Sequence, residues 1–369
     1  MEVAKLNIVR FAPRGKDSFY EHVIGMVDNY FKTNNISPYA DKTMWLKTVV
    51  MLLLYFAPYV MIVSGIGAAN IWLFYGLWVV MAFGMSGIGT SVMHDAHHGT
   101  YSSNKNVNKA VGFILEAIGG SSITWKIQHN LLHHTYTNIT GLDEDIDSIK
   151  LLRFSPRQPK YWFHRFQYIY AWFFYMIMTL YWMTAKDYRQ VMRYHKINLL
   201  SKQKLSLSKA IIFVTLPKLI YYIYILVIPI LYCGMLWYHV VGGFLLMHFI
   251  SGLFLSCIFQ PAHVMESSEF AMPVISEGKR KMENSWAIHE VANTTNFAPG
   301  NSLLTWFIGA LNFQIEHHLF SGVCHVHYKK LAPIVKSACE AYNIPYHEQP
   351  SFTKALFAHM KMLKQLGQA

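Results

Sequence analysis

Charge is what this sequence lacks most. Only 14% of its 369 residues are Asp, Glu, Lys or Arg, while 53% are hydrophobic and 15% aromatic. Water-soluble domains carry charge on about a quarter of their residues. The two soluble domains that the length suggests are therefore excluded in favour of a polytopic membrane protein with polar parts outside the bilayer. Cysteine is also scarce. Cys233, Cys257, Cys324 and Cys339 stand without CxxC or other paired spacing, which argues for reduced thiols and against a disulfide framework or thiolate zinc site. No internal repeat or low-complexity segment is evident. Lys5, Arg10, Arg14 and Lys16 precede no apolar run, so no cleavable signal peptide is expected.

The charge that is present is mostly of one sign. Lys and Arg number 32 against 20 Asp and Glu, a formal balance of +12. Such a balance suits nucleic acid, an anionic lipid surface or an acidic protein. The apolar content argues against nucleic acid.

Four stretches are long and apolar enough to span a bilayer, which takes about 20 residues: 44–66, 68–92, 213–233 and 235–258. Uncharged connections join the first to the second and the third to the fourth, so two helical hairpins are expected. Gly84, Gly87 and Gly89 suit close helix packing in the second span. Lys218, near the start of the third, is expected to snorkel toward the headgroups. Residues 161–184 are also aromatic-rich and apolar. Arg153, Arg157, Lys160 and Arg165 precede them, and Lys186, Arg189, Arg193 and Lys196 follow. Equal positive charge at both ends places both on the cytoplasmic side, so this is read as an interfacial helix that does not cross. Residues 17–42 read as a short amphipathic helix near the membrane surface. The expected fold is an all-α integral membrane protein: four transmembrane helices in two hairpins, both termini cytoplasmic, and a cytoplasmic helical cap. The expected segments are 1–42 N-terminal, 43–335 membrane domain and 336–369 C-terminal tail.

Histidine is abundant, at 19 residues, and grouped. His94, His97 and His98 stand in HDAHH; His129, His133 and His134 in HNLLHH; His317 and His318 in QIEHH, three residues after Gln314; His263 stands in FQPAHV. Residues three or four apart share a helix face, so His94/His98, His129/His133 and Gln314/His317 each aim two donors at one point, and the doublets add a neighbour for a second metal. All these groups fall on the cytoplasmic side of the expected topology. Imidazole alone leaves iron, zinc, copper and nickel open. His22, His164, His195, His239, His248, His347 and His359 read as ordinary hydrogen-bonded residues.

HDAHH, HNLLHHTYTN and NFQIEHHLF together resemble the three histidine boxes of the membrane fatty-acid desaturases. Gln at the first position of the third box resembles the front-end branch and its bacterial acyl-lipid relatives. The resemblance covers about residues 40–335. It implies a di-iron centre in the cap that uses O2 and two electrons to desaturate a long acyl chain. The implied ligands are His94, His98, His129, His133, His134, His263, Gln314, His317 and His318. His97 is either a ligand or an outer partner, and His289 is held in reserve. Implied partners are a long-chain acyl substrate, membrane lipid and a separate electron donor of ferredoxin or cytochrome b5 type, because no HPGG haem motif is present. A bacterial inner membrane fits better than endoplasmic reticulum. Other expectations attach to the remaining polar residues. Asp95 and Asn130 can orient an imidazole or cap a helix. Asp143, Glu144, Asp145 and Asp147 can orient ligands, meet Lys or Arg on the cap, or form a solvated acidic loop, the reading favoured for Glu144. Trp125, Trp286, Thr294, Thr295 and Asn296 line a channel or, more simply, pack. Competing functions are a hydroxylase, acetylenase or ketolase on the same scaffold, or a metal transporter or zinc membrane hydrolase.

Overall fold

The computed structural model describes residues 9–13, 18–147, 150–276 and 278–369; Lys5, Arg14 and Lys16 lie outside them. The chain divides into two compact units. Unit 1 holds Asp41–Ile127 and Trp172–Ser256; unit 2 holds 9–40, Gln128–Ala171 and Cys257–Ala369.

The helices that matter are α1 (Phe19–Thr33), α2 (Lys42–Val63), α3 (Ile71–His98, through a π-turn at Ile88–Val92), α4 (Asp187–Lys196), α5 (Leu207–Tyr232), α6 (Trp237–His263), α7 (Trp286–Ala292), α8 (Gln314–Leu319), α9 (Tyr328–Ala341) and α10 (Phe352–Gln368). Among the described residues α2, α3, α5 and α6 are long and apolar enough to cross a membrane. They overlap the expected spans, but α3 and α6 run several residues further, to His98 and His263, and α5 begins earlier, at Leu207. On α2, Met44, Met51, Tyr55 and Ile62 are buried, while Leu46, Val49, Leu53 and Val60 are exposed. Both rows follow helical spacing, and an exposed apolar row of that length belongs in lipid rather than water.

Gly84 lets α3 touch the backbone of α2: a Cβ there would lie 2.5 Å from the Tyr55 nitrogen. Gly87 is filled in the same way by the Met51 sulfur, 2.2 Å from where a Cβ would be. Gly89 is different. A Cβ there would meet nothing closer than Leu255, at 3.9 Å, so its role is not close packing.

Lys218 does not snorkel. It is buried and forms an ion pair with Asp187 Oδ2 at 2.8 Å, and its ammonium also donates to the Gly119 carbonyl at 2.8 Å. Asp187 in turn accepts from Thr124 Oγ1 at 2.6 Å and Trp182 Nε1 at 3.1 Å. A charge in an apolar helix is stabilised by a fully bonded partner as well as by reaching water, and here the partner wins. Removing one partner of such a pair typically costs about 3–5 kcal/mol. Lys218→Met is therefore expected to lower the thermal midpoint in detergent clearly, with Lys218→Met/Asp187→Leu recovering most of the loss. An unchanged midpoint in the single variant would show that the pair contributes nothing.

Residues 161–184 are helical but broken, with a 3-10 turn at Trp162–Phe166, helix Gln167–Met176, helix Met178–Tyr181 and a π-turn at Trp182–Lys186. α1 is amphipathic as expected, capped by Ser18, but its apolar face is not left for a membrane surface. Phe19, Val23 and Val27 are buried in unit 2 with Leu331, Val335 and Cys339 of α9. α10 also packs into unit 2, burying Ala355, His359, Leu363 and Leu366. Short strands complete unit 2: β1 (Val9–Arg10) pairs with β3 (Lys279–Lys281), which pairs with β2 (Val274–Ser276), and β4 (Asn296–Phe297) pairs with β5 (Glu348–Gln349).

Candidate metal centre

In unit 2, His133, His263 and His318 each offer a ring nitrogen within 4.8 Å of the others, and so do His134, His317 and His318. His129 joins them, its Nε2 3.2 Å from His134 Nε2. All six are buried.

Three local devices bring them together. His129, His133 and His134 lie on or beside a π-helical stretch, Lys126–His133. A π-turn brings residues five apart into register, so His134 meets His129, a convergence that α-helical spacing alone did not anticipate. His263 ends α6. His317 and His318 sit on α8, which is pinned from outside: Asn296 Oδ1 accepts from the Ile315 N–H at 3.0 Å, while Asn296 Nδ2 and the Tyr346 hydroxyl donate to Glu316 at 2.8 and 2.9 Å. Burial pushes the Glu316 carboxyl up to about 7.

Four of the six rings have their outer nitrogen engaged. His133 Nδ1 lies 3.1 Å from Asp143 Oδ1 and 3.4 Å from Asp145 Oδ2. His318 Nδ1 lies 2.7 Å from Glu290 Oε2. His263 Nδ1 donates to the Asn293 carbonyl at 3.3 Å, and His317 Nδ1 lies 3.3 Å from the Tyr328 hydroxyl. Each such bond fixes the proton on Nδ1 and gives Nε2 the lone pair that a metal takes. Burial alone would lower His133, but Asp143 and Asp145 outweigh it and raise its pKa to about 9. Burial holds the Glu290 carboxyl well above its ordinary range, opposed by its bond to the Thr137 hydroxyl at 2.7 Å. Clustered buried imidazoles with carboxylates behind two of them fit transition-metal ions well.

Asp143 and Asp145 thus leave the solvated-loop reading for the ligand-orienting one, and Glu144 is half-buried. Asn138 shapes the turn that brings Asp143 under His133. Its φ is +59°, a conformation Asn tolerates, its N–H donates to Asp143 Oδ2 at 2.9 Å, and its amide donates to the His263 carbonyl at 2.9 Å. Trp286 serves positioning too, donating from Nε1 to the His134 carbonyl at 2.9 Å. His289 stands outside the triads: its Nε2 is 2.7 Å from the Thr137 carbonyl, and burial lowers its pKa to about 4. Gln314 is buried at the start of α8, its amide donating to the Leu311 carbonyl at 2.8 Å.

Unit 1 carries the first box. His94 and His98 lie one turn apart at the end of α3, their ring centroids 4.7 Å apart, and the Trp125 ring stands 5.7 Å from each. Asp95 Oδ1 is 3.6 Å from His94 Nδ1. His97 Nε2 contacts the Ser122 hydroxyl at 3.1 Å, which donates to Glu116 at 2.9 Å, an outer, protein-bonded role. A narrow apolar cavity in the same unit is walled by Met85, Gly89 and Met93 of α3 with Leu115, Met183 and Leu255, which accounts for the open space at Gly89.

Among the remaining histidines, His248 meets the Tyr221 hydroxyl at 3.0 Å, His359 the Val264 carbonyl at 2.8 Å, His164 the Lys150 carbonyl at 2.9 Å and His239 the Tyr75 hydroxyl at 3.1 Å. These are ordinary structural bonds. Residues the sequence reading did not single out are Glu290, Glu316, Thr137, Asn138 and Tyr328.

The family model for fatty acid desaturases matches residues 70–350. An sn-1 linoleoyl-lipid 6-desaturase of Arthrospira platensis is 34% identical over 92% of this chain and 90% of its own length. A protein of the same name from Synechocystis is 33% identical over 93% and 94%. An acyl-lipid (8-3)-desaturase of Physcomitrium patens is 35% identical over 97% of this chain and 74% of its own. With the family match spanning most of the chain, and with relatives of this identity covering both chains, the protein belongs to the fatty acid desaturase family and is an oxidoreductase that desaturates fatty-acyl chains.

Proposed function

We propose that the chain is an O2-dependent acyl-lipid desaturase that places a cis double bond in a long-chain acyl group. Two irons would be held by His94, His98, His129, His133, His134, His263, Gln314, His317 and His318. The observation that carries this reading is the buried imidazole cluster of unit 2, in which Asp143 and Glu290 fix two of the rings from outside. When bound, the irons supply the O2-activating redox chemistry that an unactivated methylene requires, since it offers neither an acidic proton nor a leaving group.

The chain's own residues do the rest. Asp143, Glu290, Tyr328 and the Asn293 carbonyl hold tautomers, so that the rings keep neutral donors turned to the metals. Burial excludes water from the cluster. The apolar cavity of unit 1 suits one acyl segment, whose methylenes need no polar partner. Its walls would set which carbon–carbon bond stops at the reacting position. Lipid-linked acyl chains are the favoured substrate class because the relatives compared above are named for them. Electrons would come from a protein donor of ferredoxin or cytochrome b5 type.

Expression in a host of known lipid composition, with double-bond localisation by mass spectrometry, tests the reaction. A new olefin in lipid-bound fatty acids is expected. A hydroxylated or acetylenic product in its place would reassign the chemistry. A cytoplasmic metal centre is also part of the reading, supported by the basic flanks of 161–184. Cysteines placed at Arg157 and Arg189 should label from the same, cytoplasmic side of the membrane; labelling from opposite sides would refute that topology.

A further inference from the structure

The chain's positive balance is concentrated in one stretch. Between residues 148 and 265 stand 13 Lys and Arg and a single acid, Asp187, so this stretch carries the full +12, and the remainder holds equal numbers of each sign. In unit 1 the run includes Lys186, Arg189, Lys196, Lys202, Lys204 and Lys209. All but Lys186, which is half-buried, are exposed. The one acid within it is withdrawn from the surface: Asp187 is buried on Lys218, Thr124 and Trp182. The other described acids of unit 1 do not offset the run. Asp95 and Glu116 are buried, and Asp41 caps α2, accepting from the Met44 N–H at 3.1 Å. The segments packed against α4, namely Ser122–Trp125, Trp182–Lys186, Leu199–Lys202 and α5, contain no acid.

Position supplies the second argument. Lys202 and Lys204 immediately precede α5 and Lys209 lies in its first turn, so these ammonium groups stand at the end of a membrane-length apolar helix. α4 adjoins an aromatic pair: the Lys186 Nζ lies 5.4 Å over the Trp182 ring, and Arg189 Nη1 donates to the Tyr181 hydroxyl at 3.0 Å. Arg189, Met192 and Lys196 share one face of α4, with Met192 exposed between the two cations. Cations interleaved with aromatics and an exposed apolar side chain at a span terminus match the chemistry of the headgroup layer. A solvated charge run would need neither the buried counter-ion nor the span terminus.

We infer that 186–209 is a binding surface for the headgroups of anionic phospholipids. The field there stays positive because Lys218 holds Asp187, the one acid of the stretch, away from the surface. Basic groups at such a surface each attract anionic lipid, so losing three should weaken retention about tenfold or more.

The test uses the full-length protein purified from membranes. Native mass spectrometry after exposure to equal phosphatidylglycerol and phosphatidylcholine counts the lipids retained. The wild type should hold phosphatidylglycerol in preference. Arg189→Gln/Lys196→Gln/Lys204→Gln should lose that preference while keeping wild-type iron content. Lys329→Gln/Lys330→Gln/Lys336→Gln, which removes the same charge from α9, should keep it. Equal retention in the first variant, or equal loss in both, overturns the inference. So does an unchanged lipid preference with a raised KM for a protein electron donor in phosphatidylcholine nanodiscs, which would make the surface a donor dock. Lipid retention needs no turnover, so failure of the proposed reaction would leave this result standing.

Discussion

Replacing His133 or His318 with alanine is expected to take bound iron and desaturation to background together. Each ring is buried in a triad with two others, and each is fixed from outside by a carboxylate. His318 belongs to two triads, so its loss should empty more of the centre than the loss of His263. His164→Ala is the matched control. That ring bonds the Lys150 carbonyl and the Tyr161 N–H, and its loss should leave iron content and product unchanged. Gln314→Ala belongs in the same series. Gln314 shares the α8 face with His317, and an amide oxygen is a neutral donor like imidazole. Most of the turnover should disappear with it, and turnover at the wild-type rate would remove Gln314 from the ligand set. Full iron in His133→Ala or His318→Ala would place the metals elsewhere.

The second large effect is expected at Glu290. This carboxylate is fully buried and meets the His318 Nδ1 and the Thr137 hydroxyl at 2.7 Å each. Thr137 also bonds the His133 carbonyl at 2.7 Å, so one acid ties two boxes together. Losing the partner behind a ligating imidazole typically costs 10- to 100-fold in metal affinity, and about that loss is expected for Glu290→Ala. Glu290→Gln should recover part of it, because the amide oxygen still accepts from His318 Nδ1. Iron retention against a chelator and the Mössbauer spectrum provide the readouts. A merely space-filling Glu290 would leave the spectrum of the alanine variant at wild type and give no advantage to glutamine.

Periodicity and composition revealed the parts of this protein that repeat or that lipid demands. The four long apolar helices fall where about 20 mostly apolar residues stand in a row, and histidine spacing pointed to His129, His133, His134, His317 and His318 of the unit 2 cluster, whereas His263, alone in its segment, was marked by its place after the fourth span and by the family resemblance. What escaped was whatever depends on a partner distant in sequence. Lys218 looked like a snorkelling cation because Asp187 is 31 residues away and meets it only once α4 and α5 pack. Glu290 carries no local signal, since its partners His318 and Thr137 lie 28 and 153 residues off. Asp143 was nearer to hand: an acid ten residues after a histidine, with Asn138 in a left-handed turn between them, is a pattern that a loop reading can contain. α1 showed its amphipathicity but not its destination, because the same apolar face serves a membrane surface or the α9 groove. The π-turns were invisible too. They shift histidine pairing from four to five residues, and propensity does not announce them.

The most direct measurement is the metal content of protein purified anaerobically from iron-replete cells, determined by elemental analysis alongside Mössbauer spectroscopy. The account predicts about two irons per chain in nitrogen-rich, coupled sites, because the donors implied exceed what one ion of ordinary coordination number can take. One ion per chain, or zinc in place of iron with desaturation intact, would contradict it.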